Sequence, residues 1–128
     1  MSLETIALIL EDADCGIRGE NIFVNMIPSE VVEGILLRQP FGGFMIDHEL
    51  PGFRNTSFGL IVRSREYSSG LALIEKATNA LSVTGETMWG TNMQVKFARP
   101  RHEPFVYPLS VGNLFEFITN IDLAYVIV

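Results

Sequence analysis

Residues 57–81 read SFGLIVRSREYSSGLALIEKATNAL, and the way this stretch divides decides the fold. Its first part, 57–65, is dense in aliphatic and β-branched side chains and reads as a strong strand. Tyr67-Ser68-Ser69 breaks that run, and the Ser68 hydroxyl is placed to cap a following helix by accepting from an early backbone amide. Leu71, Ile74, Thr78 and Leu81 then recur at helical spacing, with Glu75, Lys76 and Asn79 off that stripe and Gly85 shortly past its end. The unit is a strand followed by an amphipathic helix.

Working outward, the amino-terminal side opens with Ser2 as a cap and Leu3, Ile6, Ala7 and Leu10 as the stripe of a first helix that Gly16 stops. Strands are expected over 21–27, 33–38 and 44–50, the first ended by Pro28 and the last two separated by the turn QPFGG. The loop PGFRNT (51–56) leads into the central strand. On the carboxyl side, Met93, Val95 and Phe97 alternate with Gln94, Lys96 and Ala98 over 93–99. Phe115, Phe117, Ile121, Leu123 and Tyr125 share one face of a longer final strand, and Glu116, Asn120 and Asp122 share the other. The expected order is therefore helix, four strands, helix, two strands. That pattern predicts an α+β fold, a mostly antiparallel mixed β-sheet with two α-helices packed on one face. No repeat or linker interrupts residues 1–128, so one domain is expected.

Composition narrows the function classes. The chain has 128 residues, is 48% hydrophobic and contains nine Phe, which suits a packed core and not disorder. The longest uncharged run, 104–115, is interrupted by Pro104, Pro108 and Gly112 and is far shorter than the roughly 18 apolar residues of a spanning helix. No basic region precedes the first apolar run, so a secretory signal is not expected. A single cysteine, Cys15, allows no internal disulfide and suits a reducing compartment. The net charge of −6 argues against tight binding to nucleic acid or to an anionic membrane.

Residues that could carry chemistry are few. His48 and His102 lie in different segments and neither begins a metal-ligand pattern, so no metal or cofactor is expected. Gly42-Gly43 reads as a turn, since a phosphate cradle needs further glycines and a helix start directly after it. Cys15 sits beside Asp12 and Asp14, which disfavour its thiolate. Asp47, His48 and Glu49 form the one tight polar cluster that a small enzyme or ligand-binding module could use, although edge strands carry such charges to resist aggregation. More suggestive are Arg63 and Arg65, alternating along the central strand, where two guanidinium forks could meet carboxylates on a neighbouring chain. The loop RPRHEP (99–104) presents Arg99, Arg101 and His102 between stiffening prolines, and Phe53 and Trp89 lie beside glycines and polar residues.

Two stretches carry a family resemblance. Residues 54–81, RNTSFGLIVRSREYSSGLALIEKATNAL, place an arginine, a hydrophobic strand, a polar break and an amphipathic helix in order. Residues 93–128, MQVKFARPRHEPFVYPLSVGNLFEFITNIDLAYVIV, follow with a strand, a proline-bearing loop, a glycine-marked turn and a long closing strand. In this order of elements the chain resembles the small tail terminator proteins of long-tailed bacteriophages, also described as tail completion or minor capsid proteins. The resemblance implies a virion protein, assembled in the host cytoplasm, that forms a ring, commonly of six copies. The ring would cap the head-proximal end of the tail tube, meet a head-closure or neck protein, and let DNA pass through without specific binding. It implies no catalysis, metal or cofactor. Phe53, Arg54, Arg63, Arg65, Trp89, Arg99, Arg101 and His102 are the expected interface residues. The alternatives are another neck component, such as a head-closure or adaptor protein, or a small α+β enzyme or ligand-binding module.

Overall fold

The structure, a computed structural model, describes residues 2–40, 42–44, 46, 48–107 and 114–128. Among these, the elements follow the order α1 (Leu3–Asp12), β1 (Ile22–Val24), β2 (Gly34–Arg38), β3 (Phe53–Ser64), α2 (Tyr67–Leu81), β4 (Thr87–Trp89), β5 (Met93–Pro100), β6 (Phe105–Tyr107) and β7 (Phe115–Ile127). The strands form one sheet in the order β1-β2-β3-β7-β5-β4, and β6 pairs with the amino-terminal half of β7. All pairings are antiparallel except β1 with β2. The expected α+β class and mostly antiparallel mixed sheet are therefore observed.

Alternation along the strands gives the sheet two different faces. Phe58, Leu60 and Val62 of β3 pair with Ile121, Thr119 and Phe117 of β7, and all six are buried. Ile35 and Leu37 of β2 continue this layer beside Val62 and Leu60, and Val95 of β5 continues it beside Tyr125. The stripes of α1 (Leu3, Ile6, Ala7, Leu10) and α2 (Ile74, Ala77, Leu81) complete the same core cluster. Burying such side chains from both layers is the dominant stabilisation of the fold.

Two contacts fix how the helices sit. At Gly70 an added Cβ would fall inside the van der Waals surface of the Phe117 ring and 3.0 Å from the Ser64 Cβ, so the absence of a side chain sets the approach of α2 to β3 and β7. Helix α1 contacts β1 and β2 at one end of the sheet order and β4 at the other, with Thr5 against Gly90 just after β4. The sheet thus curls until both edges meet α1. Edge strands left bare invite pairing with other chains, and here the strands at the two ends of the order, β1 and β4, both contact α1. Lys76 of α2 donates to the carbonyl of Asp14 at 2.7 Å and ties α2 to the turn that follows α1.

Several local expectations differ from what the chain does. The strand expected over 44–50 is absent among its described residues, while Met45 and Asp47 lie outside the described set. Ile46 and Leu50 are exposed, so no apolar face exists there to fix a register. Two short strands were not expected, β4 and β6, and the order becomes helix, three strands, helix, four strands. Strand β1 ends at Val24 because Asn25 turns at φ +65°. Helix α2 starts at Tyr67 with Glu66 in the cap position, and Ser68 does not cap it. Instead the Ser64 hydroxyl accepts from the Glu66 amide, and Ser64 and Ser69 hydroxyls meet at 3.0 Å. A bulge between Val95 and Phe97 also moves Phe97 off the face it was expected to share with Val95 and turns Ala98 inward.

Candidate assembly surface

The sheet face turned away from the helices is built from the intervening residues of the same strands. Leu36 and Arg38 come from β2, Ser57, Gly59, Ile61 and Arg63 from β3, Glu116, Ile118, Asn120 and Asp122 from β7. The bulge in β5 adds Phe97 and Arg99. Among the described residues, neither helix lies over this face.

A trough runs across it in three connected hollows. The largest, about 890 Å³, has Ser57, Gly59 and Asn120 on its floor and Arg38, Pro40, Gly42 and Gly43 along one wall. It continues past Arg101 into a hollow of about 530 Å³ beside Arg99 and Asp122. On the other side it passes Arg38 and Asn120 into one of about 380 Å³, lined by Ile61, Ile118, Phe105 and Tyr107. The small residues Ser57 and Gly59 keep the floor low, so a partner backbone could approach closely.

The charges on this face are sorted. Arg63 is 17% exposed, donates to the carbonyls of Pro28 and Val31 at 3.2 Å each, and reaches Glu116 at 3.4 Å. Arg101 grips Asp122 through Nε and Nη2 at 3.0 and 2.7 Å, and this hydrogen bonding raises the guanidinium pKa further above its ordinary value. Glu116 and Asp122 are the only carboxylates in the described strands, and both are so engaged. Arg38 and Arg99 have no carboxylate partner among the described residues, although the Arg99 guanidinium rests 4.7 Å over the Phe97 ring. A sheet face carrying spare cations stands out in a chain of net charge −6.

The eight residues expected at an interface are distributed unevenly. Arg99 and Arg101 line one end of the trough, and His102 follows them in the same loop. His102 is held by the Glu103 carbonyl through Nδ1 at 2.8 Å and by Asn120 through Nε2 at 3.3 Å, with its ring beside Phe105. Arg63 is an internal brace between β3, β7 and the 28–31 turn. Arg65 is exposed beyond the end of β3, so it does not alternate with Arg63 on one strand. Phe53 and Arg54 begin β3 at the far end of the sheet, where Arg54 donates to the carbonyls of Pro51 and Phe53. Trp89 is 3% exposed and belongs to the core cluster, where it packs as one more buried aromatic. Arg38, Gly59 and Asn120 were not singled out from the sequence. The alternation of β7 had placed Asn120 opposite the apolar face, but Arg38 needed knowledge of which strands pair.

Other reactive groups are arranged differently. Cys15 is buried, and desolvation outweighs the attraction of Lys76 to push its thiol pKa up. His48 and Glu49 are exposed, and the third member of their cluster, Asp47, lies outside the described residues. Among the described residues there is no group of three or more His, Cys, Asp or Glu able to hold a metal ion, and no helix long and apolar enough to cross a membrane.

What these features define is an α+β protein with one helix-covered sheet face and one open, cation-bearing face. The sequence profile described as bacteriophage tail terminator protein matches residues 9–127, and the chain belongs to that family. It is a structural component of the tail or neck of a virion. The fold is similar to that of a chain in the virion of the native gene transfer agent (GTA) particle, with a TM-score of 0.54 and 11% sequence identity, over 96% of this chain and 84% of that one. No curated protein matches the sequence.

Proposed function

We propose that the chain acts as one domain to form a closed ring, with six copies as the expected number. The ring caps the head-proximal end of the tail tube and presents a surface to a head-closure or neck protein. It assembles in the host cytoplasm and works by shape alone, with no bond-making step. The observation that carries this reading is the family match across residues 9–127. Support comes from the open sheet face, where Arg38, Arg99, Arg101 and His102 are the proposed contact residues.

A ring needs two different patches per subunit and a rotation that closes. Each copy carries −6, so long-range repulsion opposes closure at low salt. Moderate salt screens that repulsion, and assembly is expected to hold or strengthen as it is added. DNA passing the ring meets an acidic protein and is not captured. Electron microscopy of the purified chain, alone and with tail tube protein, tests the proposal. Annular particles that stop tube growth are the expected result. A compact monomer that never engages tube ends would overturn it, as would turnover of a substrate in its clefts.

A further inference from the structure

Charge on this molecule is divided between opposite sides. The strands of the open face contribute Arg38, Arg63 and Arg99 to it against two carboxylates, Glu116 and Asp122, which Arg63 and Arg101 engage. Helix α1, on the other side of the sheet, holds Glu4, Glu11 and Asp12 and no cation. Glu11 is occupied by Arg18, through the Arg18 amide at 2.8 Å and the guanidinium at 3.5 Å. Glu4, Leu8 and Asp12 are left as an outward stripe at i, i+4 and i+8, acidic at both ends with a half-exposed leucine between. Leu8, at 39% exposure, gives the stripe an apolar centre.

The trough is its complement. Arg38 and Arg99 stand on β2 and β5, three strand spacings apart in the order β2-β3-β7-β5. At ~4.8 Å per spacing that is about 14 Å across a flat sheet, and the two-residue offset along β7, Arg38 level with Asn120 and Arg99 with Asp122, brings it to roughly 16 Å before curling. Glu4 and Asp12 are eight residues apart on a helix, about 12 Å at 1.5 Å per residue. Between the two arginines lie the low floor at Ser57 and Gly59 and the wall at Pro40, which leave room for Leu8.

We propose that the trough receives helix α1 of a second copy of this chain, Glu4 and Asp12 meeting Arg38 and Arg99 with Leu8 over the Gly59 floor. The inference rests on the ring reading above and names the surfaces that would build it. Because the two patches lie on opposite sides of one molecule, a copy cannot satisfy its own, and each contact leaves a free patch at either end. That is the heterologous arrangement a closed ring requires.

Charge reversal tests the pairing. One variant carries Arg38→Glu and Arg99→Glu; the other carries Glu4→Arg and Asp12→Arg. All four side chains lie outside the core, so circular dichroism should show both variants folded. Each alone is expected to lose about tenfold or more in self-association by sedimentation, since like charges then face each other. Mixed in equal amounts, the two should assemble again, because every contact is opposite in charge only when they alternate.

Both variants assembling like the wild type, or folded variants whose mixture fails to assemble, would overturn this interface while leaving the ring intact. A wild-type chain that stays monomeric at every concentration, and at tube ends, would instead overturn the ring reading, and this interface with it. Retention of a short duplex DNA by the wild type but not by the Arg38→Glu, Arg99→Glu variant would reassign the trough to phosphate and also overturn the proposal.

Discussion

The same strands present two unlike surfaces, and the contrast separates what holds this protein together from what it offers to others. On the inward side, Phe58, Leu60, Val62, Phe117, Ile121 and Tyr125 are sealed from water by both helices. On the outward side, the residues one step along the chain mix small, polar and charged side chains with Leu36, Ile61, Ile118 and Phe97, and the arginines there divide into those with and those without a carboxylate partner among the described residues. Arg63 serves the fold although it sits on the outer face, while Arg38 and Arg99 have no carboxylate partner among the described residues. Position on a face therefore does not settle a residue's role; the number of internal partners does.

Substitutions can break or sharpen this contrast. The largest effect is expected inward, at Phe117→Ala, which removes the ring packed against Gly70 and beside Tyr67, 5.4 Å between ring centroids. A loss of about 3–5 kcal/mol is expected from denaturant titration. A smaller loss would mean that α2 settles into the vacated space. Next comes Arg63→Met, which keeps the bulk of the stem but drops the hydrogen bonds to Pro28, Val31 and Glu116. It should cost about 2–3 kcal/mol, with proteolysis first appearing near the 28–31 turn. A neutral outcome would place Arg63 with the free arginines.

The smallest effect is expected at Tyr125→Phe. This side chain is fully buried, and its hydroxyl has no hydrogen-bond partner among the described residues. Removing an unsatisfied hydroxyl leaves stability unchanged or raised by at most about 1 kcal/mol. Burial also raises the Tyr125 pKa, with Arg54 opposing, so the folded chain resists ionising this phenol. Because the folded pKa lies above the unfolded one, that contribution is intact below about pH 10 and fades as pH rises further. Cys15 acts with the same sign in the alkaline range, so the informative comparison is the wild type against Tyr125→Phe across a pH series. Equal alkaline sensitivity in the two proteins would show that the phenol is not the group responsible.

The long elements were legible because their periodicity runs far enough to be self-evident. The alternation over 115–125 and the stripe over 71–81 each correspond to an observed element whose named residues are mostly buried. The short ones were not. TMW and FVY are three residues each and become strands only because β5 and β7 offer them backbone partners. The apolar run over 44–50 misled for the opposite reason, since Ile46 and Leu50 are exposed and Phe44 reaches the core without forming a strand. The bulge after Val95 was equally hidden, because one inserted residue reverses the faces of everything beyond it without altering composition. At the surface, Trp89 drew attention as an aromatic among glycines, while Arg38 drew none. Which of them faces outward depends on pairings between residues far apart in sequence.

Helix α1 precedes every strand in sequence yet touches strands from both ends of the sheet order, including β4 at 87–89. During synthesis it leaves the ribosome before the strands it packs on, and its resting place is incomplete until β4 has followed. Until then Leu3, Ile6, Ala7 and Leu10 are exposed on a helix too short to persist in water by itself. This helix therefore cannot lock in before those strands exist, and its docking joins residues made well apart in time.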